Sequence, residues 1–114
     1  MKLIVKDIVG VNGISMQSGD LLYRKIIEPL KSGDKVELDF VDLKLFATPF
    51  FNASIGLTLR DIEISALQER LTFINLTPFG LQLVNHVIKN AIDFYKNESG
   101  ISDALNSINL DPEQ

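Results

Sequence analysis

Few residues in this 114-residue chain are placed to do chemistry. The clearest is Thr48, which with Pro49 opens the run Phe50-Phe51-Asn52-Ala53-Ser54-Ile55-Gly56 directly after a strand-like stretch at residues 36–40. A hydroxyl at a helix start can accept a hydrogen bond from a free backbone N–H as a cap, with the following proline lacking the N–H that would otherwise be orphaned. Thr77-Pro78-Phe79 repeats the same device before the last helix, so capping alone accounts for the residue type. Asp39 and Asp42 flank the end of the strand. Two carboxylates there would suit Mg²⁺, whereas a strand-end aspartate commonly accepts hydrogen bonds from its own loop. Ser18-Gly19-Asp20 stands at another helix start, where an anion can be held, but no phosphate-loop or dinucleotide fingerprint accompanies it. His86 has polar neighbours on the outer face of its helix and reads as exposed to solvent.

Composition removes whole reaction classes. The chain has no cysteine, which excludes disulfides, thiolate zinc sites, iron-sulfur clusters and cysteine nucleophiles. Its single histidine excludes a multi-histidine metal site within one chain. Glu98, Asp103, Asp111 and Glu113 account for the whole net charge of -4, because the segment after residue 96 holds no Lys or Arg. The preceding body is neutral and its basic residues are scattered. Nucleic-acid binding needs a basic face, so DNA and RNA are not expected as partners. No run of about 18 apolar residues occurs, and the charged Met1-Lys2 start is unlike a signal peptide. A cytoplasmic protein that does not span a membrane is expected.

The elements that must position these residues follow from periodicity. Residues 2–9 are rich in β-branched side chains and end at Gly10 and Asn12-Gly13, which reads as a strand and a turn, with residues 14–16 as a second short strand pairing back. Leu22, Tyr23, Ile26, Ile27 and Leu30 recur at helical spacing, predicting an amphipathic helix from Ser18 that Pro29 and Gly33 stop. Residues 36–40 form a buried strand, and Thr48-Pro49 opens a helix with Phe51, Ile55, Leu59 and Ile62 on its inner face. In that helix Gly56 would let the backbone lie close to the sheet, and Phe50 would point away from the inner stripe and be partly exposed. Residues 61–69 are ambiguous between more of this helix and a separate turn. Residues 71–76 form another strand, and the last helix buries Leu81, Val84, Val87, Ile88, Ala91 and Tyr95 while exposing Gln82, His86, Lys89, Asp93 and Lys96. One domain is expected over residues 1–96, followed by an acidic, flexible tail at 97–114 that carries a short helical turn around 103–108. Alternating strands and helices imply an α/β layer with later strands parallel.

The stretch from Val36 to Phe40, the run Ala47-Thr48-Pro49-Phe50-Phe51-Asn52-Ala53-Ser54-Ile55-Gly56, the strand at 71–76 and the final helix together resemble the bacterial STAS-like domain family of unknown function. The resemblance extends from about Ser18 to Tyr95. It implies a single STAS-like α/β domain with a small mixed sheet of about four strands and three main helices packed mainly on one face. The wider STAS class includes the anti-sigma factor antagonists, whose Asp-Ser-Ser-Gly pattern carries the phosphorylated hydroxyl directly after the aspartate. Laid on this chain, that position is Thr48, with Ala47 in place of the aspartate and Pro49 and Phe50 in place of the small residues. The resemblance implies a non-enzymatic regulatory or protein-interaction module without cofactors, a partner-switching component paired with a histidine-kinase-like ATPase. Its candidate phospho-acceptor is Thr48, and its docking surface would take in Asp42, Thr48, Phe50 and Asn52. A structural homodimer or complex subunit is the alternative reading, and a small phosphate-binding enzyme using Asp39, Asp42 and Thr48 is the remote one.

Overall fold

The structure is a computed structural model that describes residues 1–107, with side chains described through Tyr95. Strand β1 (Lys2–Ile4) passes directly into a short helix α1 (Val5–Val9), followed by β2 (Asn12–Gly13) and the long helix α2 (Met16–Lys31). Then come β3 (Val36–Asp39), β4 (Leu45–Phe46), α3 (Thr48–Phe51), a π-helical turn at Asn52–Gly56, α4 (Ile64–Arg70), β5 (Leu71–Ile74) and α5 (Pro78–Ser107). Strands β1, β3 and β5 form one parallel sheet in that order, and β2 and β4 form a second parallel pair.

Strand order β1-β3-β5 moves in one direction, so right-handed crossovers place the connecting helices on one face. Exposure follows this geometry. Leu3, Leu38 and Phe73 share a register row on the packed face, and Val36 and Leu71 share the next inward row. Lys2, Glu37 and Thr72 share a row on the other face and are exposed. The alternation of apolar and polar residues along β3 records helices on one side of the sheet, while on the other side only the row of Ile4, Asp39 and Ile74 at the strand ends is buried or half-buried.

The core lies between this sheet and the helices. Helix α2 contributes Leu22, Ile26, Ile27 and Leu30 at helical spacing, and α5 contributes Val84 and Val87. Six of the seven phenylalanines form a connected chain, Phe73 to Phe40 to Phe51 to Phe46 to Phe79, with Phe50 against Phe51. Their ring centroids lie between 5.3 and 6.1 Å apart in tilted, edge-on or stacked pairs, a range in which aromatic quadrupoles attract.

Several expectations need correction. The sheets are parallel throughout, with five strands in two sheets among the described residues, where a mixed sheet of about four was expected. The strand expected over residues 2–9 stops at Ile4, because Val5, Ile8 and Val9 are spaced as one helical face and bury against the core. Gly10, at φ 85°, closes that helix by donating its N–H to the Lys6 carbonyl at 2.8 Å. Residues 14–16 do not pair back. Ser15 instead caps α2, its side chain accepting from the Ser18 N–H at 3.0 Å. Pro29 lies inside the last turn of α2 and does not stop it, since only the final turn loses a hydrogen bond there. Gly56 approaches α5, not the sheet: a Cβ at this position would stand 3.0 Å from Val87 Cγ1. The ambiguous stretch contains a separate helix, α4. Leu81, expected in the buried stripe of α5, is exposed. Helix α5 continues past Asn97 and Gly100, where the sequence suggests it gives way to a tail. The side chain of Lys96 and all of residues 108–114, the end of that expected tail and of its helical turn, lie outside the described residues.

Candidate functional site

The start of α3 is held by a clamp of backbone. Lys44 N–H donates to the Val11 carbonyl at 2.7 Å and Ala47 N–H to the Gly13 carbonyl at 3.0 Å, so the β2–β4 pair fixes the chain up to the residue before the helix. Beneath it the Phe50 ring lies against Gly13, where a Cβ would come within 3.2 Å of the ring. Behind it α2 crosses so closely that a Cβ on Gly19 would stand 2.5 Å from the Phe50 carbonyl oxygen. Two glycines and a phenylalanine thus set the position of Thr48.

This clamp decides what the Thr48 hydroxyl does. Because Ala47 is tied to Gly13 in extended geometry, it occupies the N-cap position, and its carbonyl accepts from the Phe50 and Phe51 N–H groups at 3.1 and 3.3 Å. Thr48 is already helical and half-buried, and among the described residues its hydroxyl is in no hydrogen bond. Thr77 behaves differently. It precedes α5 and its Oγ1 accepts from the Gly80 N–H at 3.1 Å, a true cap. The two Thr-Pro pairs look alike in sequence, and only the second uses its hydroxyl for capping.

Asn52 lies one turn after Thr48, is exposed, and donates its backbone N–H to the Thr48 and Pro49 carbonyls. Thr48 and Asn52 therefore share one face of the helix start, with exposed Pro49 beside them. Phe50 does not join them. It was expected to be partly exposed but is 0% accessible, because its ring fills the space under Gly13 and meets Phe51 edge-on at 5.3 Å. It anchors the site from below and offers no contact to a partner. Asp42 is exposed at φ 61° in the turn after β3, and Lys6 Nζ lies 3.4 Å from its Oδ2. Among the described residues no hydrogen bond or ion pair connects it with Thr48 or Asn52.

Asp39 is committed to the loop. Its Oδ1 accepts from the Val41 N–H and the Asn75 side-chain amide, both at 2.9 Å, and its Oδ2 faces Lys2 Nζ at 3.5 Å. The Asn75 hydrogen bond, with those of Val41 and Lys2, holds the carboxyl below its usual range against the opposing effect of burial. This is the loop-acceptor role open to a strand-end aspartate, and both oxygens are already occupied. His86 is exposed and pairs with Asn90 at 3.1 Å. Among the described residues no group of three or more acidic or histidine side chains is disposed to hold a metal ion. No described helix is long and apolar enough to cross a membrane.

Two features beside the site have no counterpart in the sequence reading. The first is the π-helical turn at Asn52–Gly56, where buried Ser54 donates its hydroxyl to the Phe50 carbonyl at 2.8 Å. Thr58, also buried, donates to the Ile55 carbonyl at 2.6 Å. Small hydroxyls that hydrogen-bond back along a helix are the one sequence signal for such a distortion, and a weak one. The second is an open groove of about 730 Å³ between α2 and the π-helical turn, reaching Asn52 at one end. Met16 and Leu21 project beside it. Met16 was read as part of a strand at residues 14–16, and neither its place on α2 nor the element that faces Leu21 follows from the residue pattern.

Residues 18–80 match the family described as a STAS-like domain of unknown function (DUF4325). No curated protein and no solved structure matches the chain. The matched stretch is more than half of the chain and runs from the first turn of α2 to the first turn of α5, ending short of the Tyr95 to which the resemblance was drawn. It takes in the clamp around Thr48 apart from Val11 and β2, and with it the π-helical turn and β5. The chain accordingly belongs to the family of STAS-like domains of unknown function.

Proposed function

We propose that this chain is a non-enzymatic, regulatory protein-interaction module of the cytoplasm, with a histidine-kinase-like ATPase as its partner. The partner docks on the exposed face of the α3 start, at Thr48, Pro49 and Asn52, and phosphorylation of Thr48 breaks the contact. One observation carries this reading: the Thr48 hydroxyl sits in the first helical turn with no hydrogen bond among the described residues, whereas the Thr77 hydroxyl is engaged. A phosphate on Thr48 would meet the positive end of the helical run without displacing an internal capping bond. It would leave the fold in place and present charge to the docked partner. Family membership and the commitment of both Asp39 oxygens support a binding role over phosphate chemistry.

The test is intact-mass analysis after incubation with ATP and each histidine-kinase-like ATPase of the organism that encodes this chain. One phosphate is expected on the wild type and on Thr77→Ala, and none on Thr48→Ala. Phosphate that persists on Thr48→Ala, or none on the wild type, contradicts the assignment.

A further inference from the structure

We infer that α2 carries a self-association surface whose occupant is a second copy of this chain, seated across a two-fold axis on the groove between α2 and the π-helical turn. The inference goes beyond the docking role of Thr48; Asn52 borders both surfaces, but self-association is read on this chain alone and stands whether or not an ATPase binds at Thr48.

The surface has the two properties that an isologous contact requires. It is apolar and contains both halves of a fit. Met16 and Leu21 project from α2 at 64% and 49% exposure, while Ala53 and Leu57 are half-buried and line the same groove from the facing element. A patch with projecting apolar chains beside an apolar recess is complementary to a rotated copy of itself. Its charges are arranged for the same symmetry. Asp20 and Arg24 lie one turn apart on α2, paired at 2.8 Å, with their side chains 45% and 74% exposed. An exposed pair of this kind contributes little to the stability of its own chain.

When two α2 helices cross antiparallel with the axis between these residues, Asp20 faces the partner's Arg24 and Arg24 faces the partner's Asp20. Opposite charges then meet on both sides of the axis, with Leu21 of each copy flanking them. An unrelated protein would have to supply an acid and a base in the matching order, whereas a second copy supplies both by symmetry. Charge matching of this type fixes register and partner choice.

Sedimentation velocity and light scattering of the full chain, from micromolar to millimolar concentration, read the outcome. The wild type is expected to shift from monomer to dimer with concentration, and Leu21→Asp to weaken the dimer at least about tenfold. Asp20→Arg and Arg24→Asp alter exposed positions, so both chains keep the wild-type circular dichroism. Each is expected to be monomeric alone, because like charges then face each other across the axis. Mixed one to one they are expected to recover a dimer, since each chain complements the other. A wild type that stays monomeric, a Leu21→Asp dimer of unchanged affinity, or a mixture that remains monomeric overturns the inference.

Discussion

The two Thr-Pro pairs carry the same residues in the same order and use them differently. At Thr77 the hydroxyl accepts from Gly80, and at Thr48 the backbone of Ala47 has taken the cap position. Removing the hydroxyl should therefore have unequal effects. Thr77→Ala is expected to cost about 1 kcal/mol in urea unfolding, the usual worth of a cap, and Thr48→Ala to be close to neutral. Equal losses would mean that Thr48 also caps. Asp39 supports a second prediction. Its carboxyl is held below the ordinary range by Asn75 first, then by Val41 and Lys2, so it stabilises the fold above the unfolded-state value. That contribution disappears as pH falls through the lowered folded-state value. Asn75 stands at φ 59°, so Asn75→Gly removes the amide without straining the backbone. Carboxyl NMR should then show Asp39 titrating closer to its usual range. The stability deficit of the variant relative to wild type should shrink as acid protonates Asp39 in both. An unmoved titration would show that Asn75 is not the main cause.

At the scale of elements, close approach decides where things sit. Helix α2 reaches the α3 start only because position 19 lacks a side chain: a Cβ there would lie 2.5 Å from the Phe50 carbonyl oxygen and 2.8 Å from Ala53 Cβ. Gly19→Ala must push backbone apart and is expected to destabilise by about 1–3 kcal/mol in chemical denaturation. Stability unchanged within error would mean that the crossing is looser than described. The same contact explains what the sequence could not reveal. Helical spacing of Leu22, Ile26 and Leu30 identified α2, and Val36, Leu38 and Phe40 identified β3, because burial on one side imposes a period. Phe50 was misread since an ideal helix turns it away from the Phe51 stripe. The space under Gly13 that accepts its ring belongs to a strand nearly forty residues earlier in the chain. The π-helical turn escaped for a related reason. It is set by packing against α2 and α5 and leaves only Ser54 and Thr58 as a faint trace in composition.

Across the whole molecule, a sheet with strand order β1-β3-β5 keeps its helices on one side and leaves the row of Lys2, Glu37 and Thr72 in solvent. The α/β class and the alternation of strands and helices were legible from residue patterns. The split into two parallel sheets was not, because β2 and β4 are two residues each and carry no period of their own. Those two short strands nevertheless fix Ala47, and through it leave the Thr48 hydroxyl free of a capping role. In the proposed role, the exposed face of this helix start receives a partner and charge at Thr48 releases it. Calorimetric titration against the histidine-kinase-like ATPase that phosphorylates this chain in the intact-mass test, with folding of each variant checked by circular dichroism, decides between these outcomes. Wild type is expected to bind, Asn52→Arg and Thr48→Glu each to weaken binding at least about tenfold, and Thr77→Ala to leave it unchanged. Binding that is equal for wild type, Asn52→Arg and Thr48→Glu, or no binding by wild type, would contradict the proposed role.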